Sequence, residues 1–88
     1  MILPTIHMNG TGANDLFNGY REAMDKVQDA DEAIRKIEFS ARDYYVQGDT
    51  AWEQARDEMT ERRAALDKIK SEFLQICEHI MDSPRFKS

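Results

Sequence analysis

Two long stretches of this chain repeat an apolar residue at alternating steps of three and four positions. The first comprises Leu16, Tyr20, Ala23, Val27, Ala30, Ile34 and Ile37. The second comprises Trp52, Ala55, Met59, Arg62, Leu66, Ile69, Phe73, Ile76 and Ile80, with one arginine among apolar residues. This spacing is typical of a helix that presents one continuous seam to a partner helix. Two such seams predict an all-α fold, a coiled-coil-like hairpin of two antiparallel helices.

The segments around these seams divide the chain, which we expect to be a single domain over residues 1–88. Pro4 and the alternation of Ile6 and Met8 with polar residues predict an extended arm. Helix two is expected to begin with a capping box of Thr50 and Glu53. The predicted segments are an arm at 1–12, helix one at 13–39, a linker at 40–50, helix two at 51–82 and a loose tail at 83–88.

A hairpin of two helices buries only one stripe of each helix. Several large apolar residues beside the seams would stay exposed, so we expect the chain to form a homo-oligomer. These residues are Phe17, Met24, Phe39, Leu74 and Met81. Arg62 interrupts the second seam, and we expect its side chain to extend past the apolar surface or to pair with an acid on helix one.

Composition limits the cellular compartment and the classes of partner that we expect for this chain. The single cysteine, Cys77, excludes an internal disulfide and suits a reducing environment. No apolar run approaches the roughly 20 residues that cross a bilayer, so we expect a cytoplasmic protein with no membrane partner. The net charge of −5 disfavours direct binding of nucleic acid, which depends on contacts to phosphate.

The sequence contains no pattern typical of an enzyme. His7 and His79 have no cysteine or carboxylate at metal-ligand spacing, and no glycine-rich loop leads from a strand into a helix. Cys77 has no evident histidine partner. We therefore expect a protein without catalytic activity, without a metal and without a cofactor.

Two polar segments stand out because helix packing does not require them. The first contains His7, Asn9 and Thr11 in a glycine-rich stretch just before helix one. The start of a helix offers free N–H groups that suit a phosphate or a carboxylate, so these residues are candidate ligand contacts. The alternative is a simple turn in which Thr11 or Gly12 caps the helix.

The second segment contains Arg42, Tyr44 and Tyr45 in the linker. Arginine suits bidentate contact to phosphate, and tyrosine rings can stack on a base. The alternative is that the tyrosines cover the open end of the hairpin while Arg42 pairs with Asp43. An antiparallel hairpin places the two polar segments at opposite ends, so a site that combines them would lie between subunits.

The two segments, Ile6-His7-Met8-Asn9-Gly10-Thr11 and Arg42-Asp43-Tyr44-Tyr45, resemble those of a group of small phage and prophage proteins. In that group an "IHxNG-T" start precedes a helical hairpin whose linker carries "RDYY". The resemblance covers roughly residues 4–82. The chain differs at Gly12, where serine is more usual, and at Ser40-Ala41, where Asn-Gly is common. The resemblance implies a virus-encoded accessory protein that acts in the host cytosol, and it implies no particular activity.

By analogy with small helical phage proteins, the leading hypothesis is a host-defence inhibitor that binds and sequesters a small nucleotide signal. The first alternative is an inhibitor that binds a host defence protein or complex directly, as anti-CRISPR proteins do. The second is a structural coiled-coil protein of the virion or its assembly. The expected partners are further copies of the chain and either a nucleotide or a host protein.

Overall fold

The computed structural model describes all residues from Met1 to Ser88 and contains helices and connecting segments but no strand. Helix α1 spans Ala13–Arg35 and helix α2 spans Ala51–Met81. Two short 3-10 helices, Ala41–Asp43 and Tyr45–Gln47, lie in the linker between them. The long helices pack side by side in a body of 60 × 23 × 17 Å, which confirms the predicted all-α hairpin. Neither helix contains a stretch long and apolar enough to cross a membrane.

The first helix is shorter than predicted. It ends at Arg35 rather than at Phe39, and the chain turns away so that the Phe39 ring packs on the Trp52 ring at a centroid distance of 4.8 Å. The packing of this aromatic pair at the linker end of the hairpin is thus favoured over continuation of the helix. Helix α2 begins at Ala51, as predicted, and its last helical residue is Met81.

The predicted capping box of Thr50 and Glu53 does not form. Thr50 precedes α2, but its φ of −98° and ψ of −9° are helical, and its side chain makes no capping hydrogen bond. A hydroxyl caps a helix when its own residue is extended, which directs the oxygen towards the first N–H groups. Helix α1 is preceded by Gly12, which has no side chain to contribute.

The hydrophobic core lies where the arm and the tail meet the helices. Its buried residues are Ala13, Ile76 and Ile80. The residues that pack around this cluster are Ile6, Leu16, Phe17, Tyr20, Phe73 and Phe86. Only six of the 88 residues are buried in the single chain, so the hairpin has a small core for its length.

The tail is not loose, contrary to the prediction. The Phe86 ring lies 4.9 Å from the Phe17 ring, measured between centroids. The backbone N–H of Lys87 donates to Oδ1 of Asn14 at 2.9 Å, and the Asn14 amide donates back to the Lys87 carbonyl. An apolar contact and two hydrogen bonds thus fix the tail against the start of α1.

The middle of the helix interface contains polar contacts as well as half-buried apolar side chains. Asp31 is buried, forms an ion pair with Arg35, whose Nε lies 3.1 Å from Oδ2, and accepts a hydrogen bond from Nε of Arg63 at 3.2 Å. Gln28 accepts a hydrogen bond from Lys70 across the same interface. We call Asp31, Arg63, Gln28 and Lys70 the polar layer. It separates the apolar core from the aromatic residues at the linker.

Three predicted seam residues, Ala30, Arg62 and Ile69, are exposed in this region, whereas Val27, Ile34 and Leu66 are half-buried at seam positions as predicted. The residues that follow the three exposed positions, Asp31, Arg63 and Lys70, make the polar contacts between the helices. A helix of 3.6 residues per turn drifts by about 20° per heptad from a strict repeat of seven, so a neighbouring residue takes over the contact at these positions. Arg62 therefore forms no ion pair with helix one, and Arg63 forms it instead.

Candidate functional site

The linker is a pair of tight turns with defined ends. Ser40 is extended, with φ −140° and ψ 146°, and its Oγ accepts from the backbone N–H of Arg42 at 3.4 Å. Gly48 closes the second turn at φ 122°, the only positive φ in the chain. Because residues with a Cβ rarely adopt this conformation, glycine is required where the chain enters α2.

The two tyrosines of the linker have different environments. The Tyr44 ring packs against Phe39 and Trp52, with centroid distances of 5.8 and 5.9 Å. Tyr44 therefore covers the end of the hairpin at the linker, as the alternative interpretation of this segment proposed. The next residue, Tyr45, is 69% exposed. Of the two rings, that of Tyr45 is the one available to stack on a ligand.

Arg42 is free to bind an anion. Its side chain is exposed, and it forms no ion pair with Asp43 or with any other acid of the chain. The ion pair between Arg42 and Asp43, which the alternative interpretation also expected, is therefore not formed. The unpaired guanidinium of Arg42 and the exposed ring of Tyr45 thus belong to residues three positions apart on one linker, which the packed ring of Tyr44 holds against the helices.

The arm forms a turn before α1. The backbone N–H of Gly10 donates to the His7 carbonyl at 3.2 Å, and the imidazole folds over the turn. A Cβ on Gly10 would lie 2.8 Å from Nε2 of His7, so the absence of a side chain there lets the ring occupy this position. His7, Asn9 and Thr11 are all exposed, and no side chain caps the first N–H groups of α1.

The arm is anchored to the last turns of α2. Nε2 of His79 donates to the Pro4 carbonyl at 2.8 Å, and Ile6 packs against the core. The sequence does not predict this hydrogen bond, because no local pattern links His79 to a residue 75 positions away. Its contact fixes the direction in which the arm leaves the hairpin.

A single chain does not bring the two polar segments together. The arm turn lies beside the end of α2, and the linker lies at the other end of a body 60 Å long. Thr11 lines a shallow groove with Tyr20 and Phe73, whereas Arg42 and the linker tyrosines line none of the surface grooves. The expectation that a composite site would need two subunits is consistent with this geometry.

A second groove runs between the helices beside the polar layer. It is lined by Met24 and Leu74, which are apolar, and by polar residues from both helices: Asp25, Gln28, Asp67, Lys70 and Ser71. Leu74 is about half exposed, so apolar surface remains uncovered along this side of the hairpin. The sequence analysis identified both apolar residues as lying beside the seams.

Cys77 is a free thiol buried in α2. Burial raises the pKa of the Cys77 thiol, and the nearby guanidinium of Arg21 acts in the opposite direction. A protonated, buried thiol is a poor nucleophile. No group of three histidine, cysteine, aspartate or glutamate side chains is arranged to hold a metal ion.

Compared with protein-family models, curated proteins and solved structures, the chain matches none. The resemblance to small phage proteins therefore stays a prediction from the two motifs. Any assignment of function rests on the residues described above.

Proposed function

We propose that this chain is a phage-encoded, non-enzymatic oligomer that binds and sequesters a small nucleotide signal of host defence in the host cytosol. The observation that supports this proposal best is that the same short linker carries an unpaired Arg42 guanidinium and, three residues later, the exposed ring of Tyr45. Arginine can hold a phosphate through two parallel hydrogen bonds, and a tyrosine ring can stack on a base. Tyr44, packed on Phe39 and Trp52, supports the linker rather than the ligand.

The residues of the arm turn complete the proposed site from a neighbouring subunit. His7, Asn9 and Thr11 offer an imidazole, an amide and a hydroxyl, which give directional hydrogen bonds to a polar ligand. They would approach the linker of another copy, because the hairpin keeps its own two segments apart. The small core and the exposed Leu74 and Met81 support assembly of several copies.

Melting the purified protein against cyclic dinucleotides, cyclic trinucleotides and ADP-ribose derivatives tests the proposal. A ligand at one hundred times its Kd adds about 2.7 kcal/mol to the free energy of unfolding. For a domain of this size that corresponds to a rise in Tm of about 10 °C or more. A dose-dependent rise with one class of nucleotide supports sequestration, and no rise with any of them contradicts it.

Arg42→Ala is the sharpest variant for this test. It is expected to abolish the rise in Tm with the active nucleotide, because the phosphate loses its only proposed cation, and to leave the helical circular dichroism unchanged. Arg62→Ala is the matched control, since Arg62 is also exposed and removing it changes the net charge equally. Full affinity in Arg42→Ala, or an equal loss in Arg62→Ala, contradicts the assignment.

A second candidate function, direct binding to a host protein, is favoured by the groove that Met24 and Leu74 line. A partner helix with apolar residues flanked by basic ones would match these apolar side chains and the two carboxylates of the groove, Asp25 and Asp67. Leu74→Glu is expected to remove such an interaction, whereas Arg42→Ala is expected to leave it intact. Salt-sensitive capture of one host protein, lost in Leu74→Glu, would favour this function over sequestration.

A further inference from the structure

The extended arm has one occupied edge and one open edge. The Pro4 carbonyl points to α2, where His79 donates to it. In an extended chain, successive residues direct their N–H and C=O groups to opposite edges. Leu3 and Thr5 therefore direct theirs to the outer edge, and neither forms a hydrogen bond within the chain. Pro4 lies on the inner edge, where the N–H that proline lacks is not needed for pairing with another strand.

The side chains of the arm show the same alternation. Pro4 and Ile6 are partly buried against the hairpin, and the residues between and after them are exposed. Ile2 belongs to the same inward series, but nothing covers it. It is 94% exposed, more than any other large apolar residue of the chain. The arm thus carries an uncovered isoleucine on one face and unpaired backbone groups along one edge.

The arm is also the part of this acidic chain that a second copy can approach without repulsion. Residues 1–14 contain no Asp, Glu, Lys or Arg, whereas the whole chain has a net charge of −5. Two copies with the same net charge repel each other, and this repulsion is weakest where no charged side chain is present. The arm is therefore the segment at which a second copy meets the least electrostatic repulsion.

We infer that the outer edge of the arm pairs with the outer edge of a second copy in an antiparallel, two-stranded ribbon. Leu3 of each copy lies opposite Thr5 of the other, and each such pair exchanges both of its N–H···O bonds. The two Pro4 residues face each other at the two-fold axis, in a position that requires no N–H. An edge with free backbone groups is a template for this kind of strand addition.

The same register covers the exposed isoleucine. Ile2 of one copy lies opposite Ile6 of the other, on the face that packs against the other copy's core. Each copy therefore extends the small apolar core of its partner. The ribbon joins two copies at their arm ends, so contact between the arm turn of one copy and the linker of another requires a further interface. The inference rests on the oligomeric part of the proposed function alone, since no nucleotide takes part in the pairing.

Disulfide trapping at the two-fold axis tests the ribbon. In a non-hydrogen-bonded antiparallel pair the Cα atoms lie about 4.5 Å apart, within the range of disulfides. Pro4→Cys in a Cys77→Ala background is expected to give mostly covalent dimer after brief oxidation at micromolar concentration, seen on a non-reducing gel. Met8→Cys in the same background is the matched control, because Met8 is 80% exposed but lies in the turn beyond the paired segment, out of disulfide range of its mate.

Equal trapping of Met8→Cys, or no trapping of Pro4→Cys, overturns the ribbon. Adding Thr5→Pro to the Pro4→Cys chain removes one outer-edge donor and is expected to lower the trapping rate at least tenfold, whereas Thr5→Val retains the donor and the rate. Amide exchange of the unmodified chain gives a check that no substitution can disturb. The N–H groups of Leu3 and Thr5 should become protected as concentration rises, and unchanged exchange contradicts the inference.

The result is separable from that of the nucleotide panel. Trapped dimer with no rise in Tm for any nucleotide removes the proposed ligand and keeps the ribbon. A rise in Tm without trapping or amide protection keeps the ligand and removes the ribbon.

Discussion

The two ends of the hairpin are built on different physical principles. At the arm end, Ala13, Ile76 and Ile80 are buried from both helices, and the arm and the tail cover them. At the linker end the contacts are between half-buried rings, and the only buried residue nearby is Ala55. The arm end is stabilised by apolar side chains that the arm and the tail cover from water. The linker end is stabilised by contacts between aromatic rings, which leave the polar side chains of the linker exposed.

The polar layer separates these two ends. Asp31 lies between Arg35 and Arg63, and Gln28 contacts Lys70, so the interface between the ends combines polar contacts with half-buried apolar side chains. Ion pairs and hydrogen bonds at partly exposed positions add modest net stability but restrict which residues can lie opposite each other. The layer thus fixes the register of the hairpin more than it strengthens the hairpin.

The largest expected effect is at the arm end. Ile80→Ala removes the most buried side chain of the chain and should lower the free energy of unfolding by about 3 kcal/mol, through lost burial and the cavity left behind. Urea denaturation measures it. Ile69→Ala is the matched control at an exposed position, expected to cost below about 1 kcal/mol. Similar losses in the two variants would mean that the arm end is not the main core.

The next effect tests the polar layer. Asp31→Asn leaves two guanidinium groups without their carboxylate and should cost about 1 to 2 kcal/mol, a value moderated by the exposure of both arginines. Combining it with Arg63→Gln should cost less than the sum of the single variants by about 1 kcal/mol. The control is Asp29→Asn at an exposed position, with an expected change within about 0.5 kcal/mol. Additive losses would show that the ion pair contributes nothing.

A smaller and local effect is expected at the linker end. Tyr44→Ala removes two ring contacts and should cost about 1 kcal/mol, with faster amide exchange confined to residues 39–52. Tyr45→Ala, at an exposed ring, should change stability by less than about 0.5 kcal/mol and weaken nucleotide binding instead. Equal destabilisation by the two substitutions would remove the distinction between a supporting and a ligand-facing tyrosine.

The hairpin was predictable because apolar spacing directly encodes which face of a helix is buried. Which residues of that face contact the partner helix was harder to predict, since a strict repeat of seven does not follow a straight helix over its whole length. The shift from Arg62 to Arg63 is one residue in the sequence, yet it changes an interrupted apolar seam into an ion pair with Asp31. Local periodicity gives the fold, and the drift of the helix determines the actual partners.

Contacts between distant segments were beyond prediction from the sequence. Asn14 meets Lys87 and His79 meets Pro4 across more than 70 positions, and neither pair follows a local pattern. The same limit applies within the candidate site. Tyr44 and Tyr45 are adjacent and chemically identical, and only the positions of the neighbouring rings decide that Tyr44 is packed and Tyr45 is exposed.

The last prediction concerns the pH dependence of the arm end, where Cys77 is buried. Because burial raises the thiol pKa in the folded state, the unfolded chain loses this proton at a lower pH than the native chain does. The stabilisation is therefore present in full below the ordinary thiol pKa and is lost as pH rises towards the folded value, by at most about 1.4 kcal/mol per pH unit. Denaturation between pH 8 and 10 should show a steeper decline for the unmodified chain than for Cys77→Ala. The two chains differ only at the thiol, so the difference in slope isolates its contribution, and parallel slopes would mean that the arm end does not exclude water from Cys77.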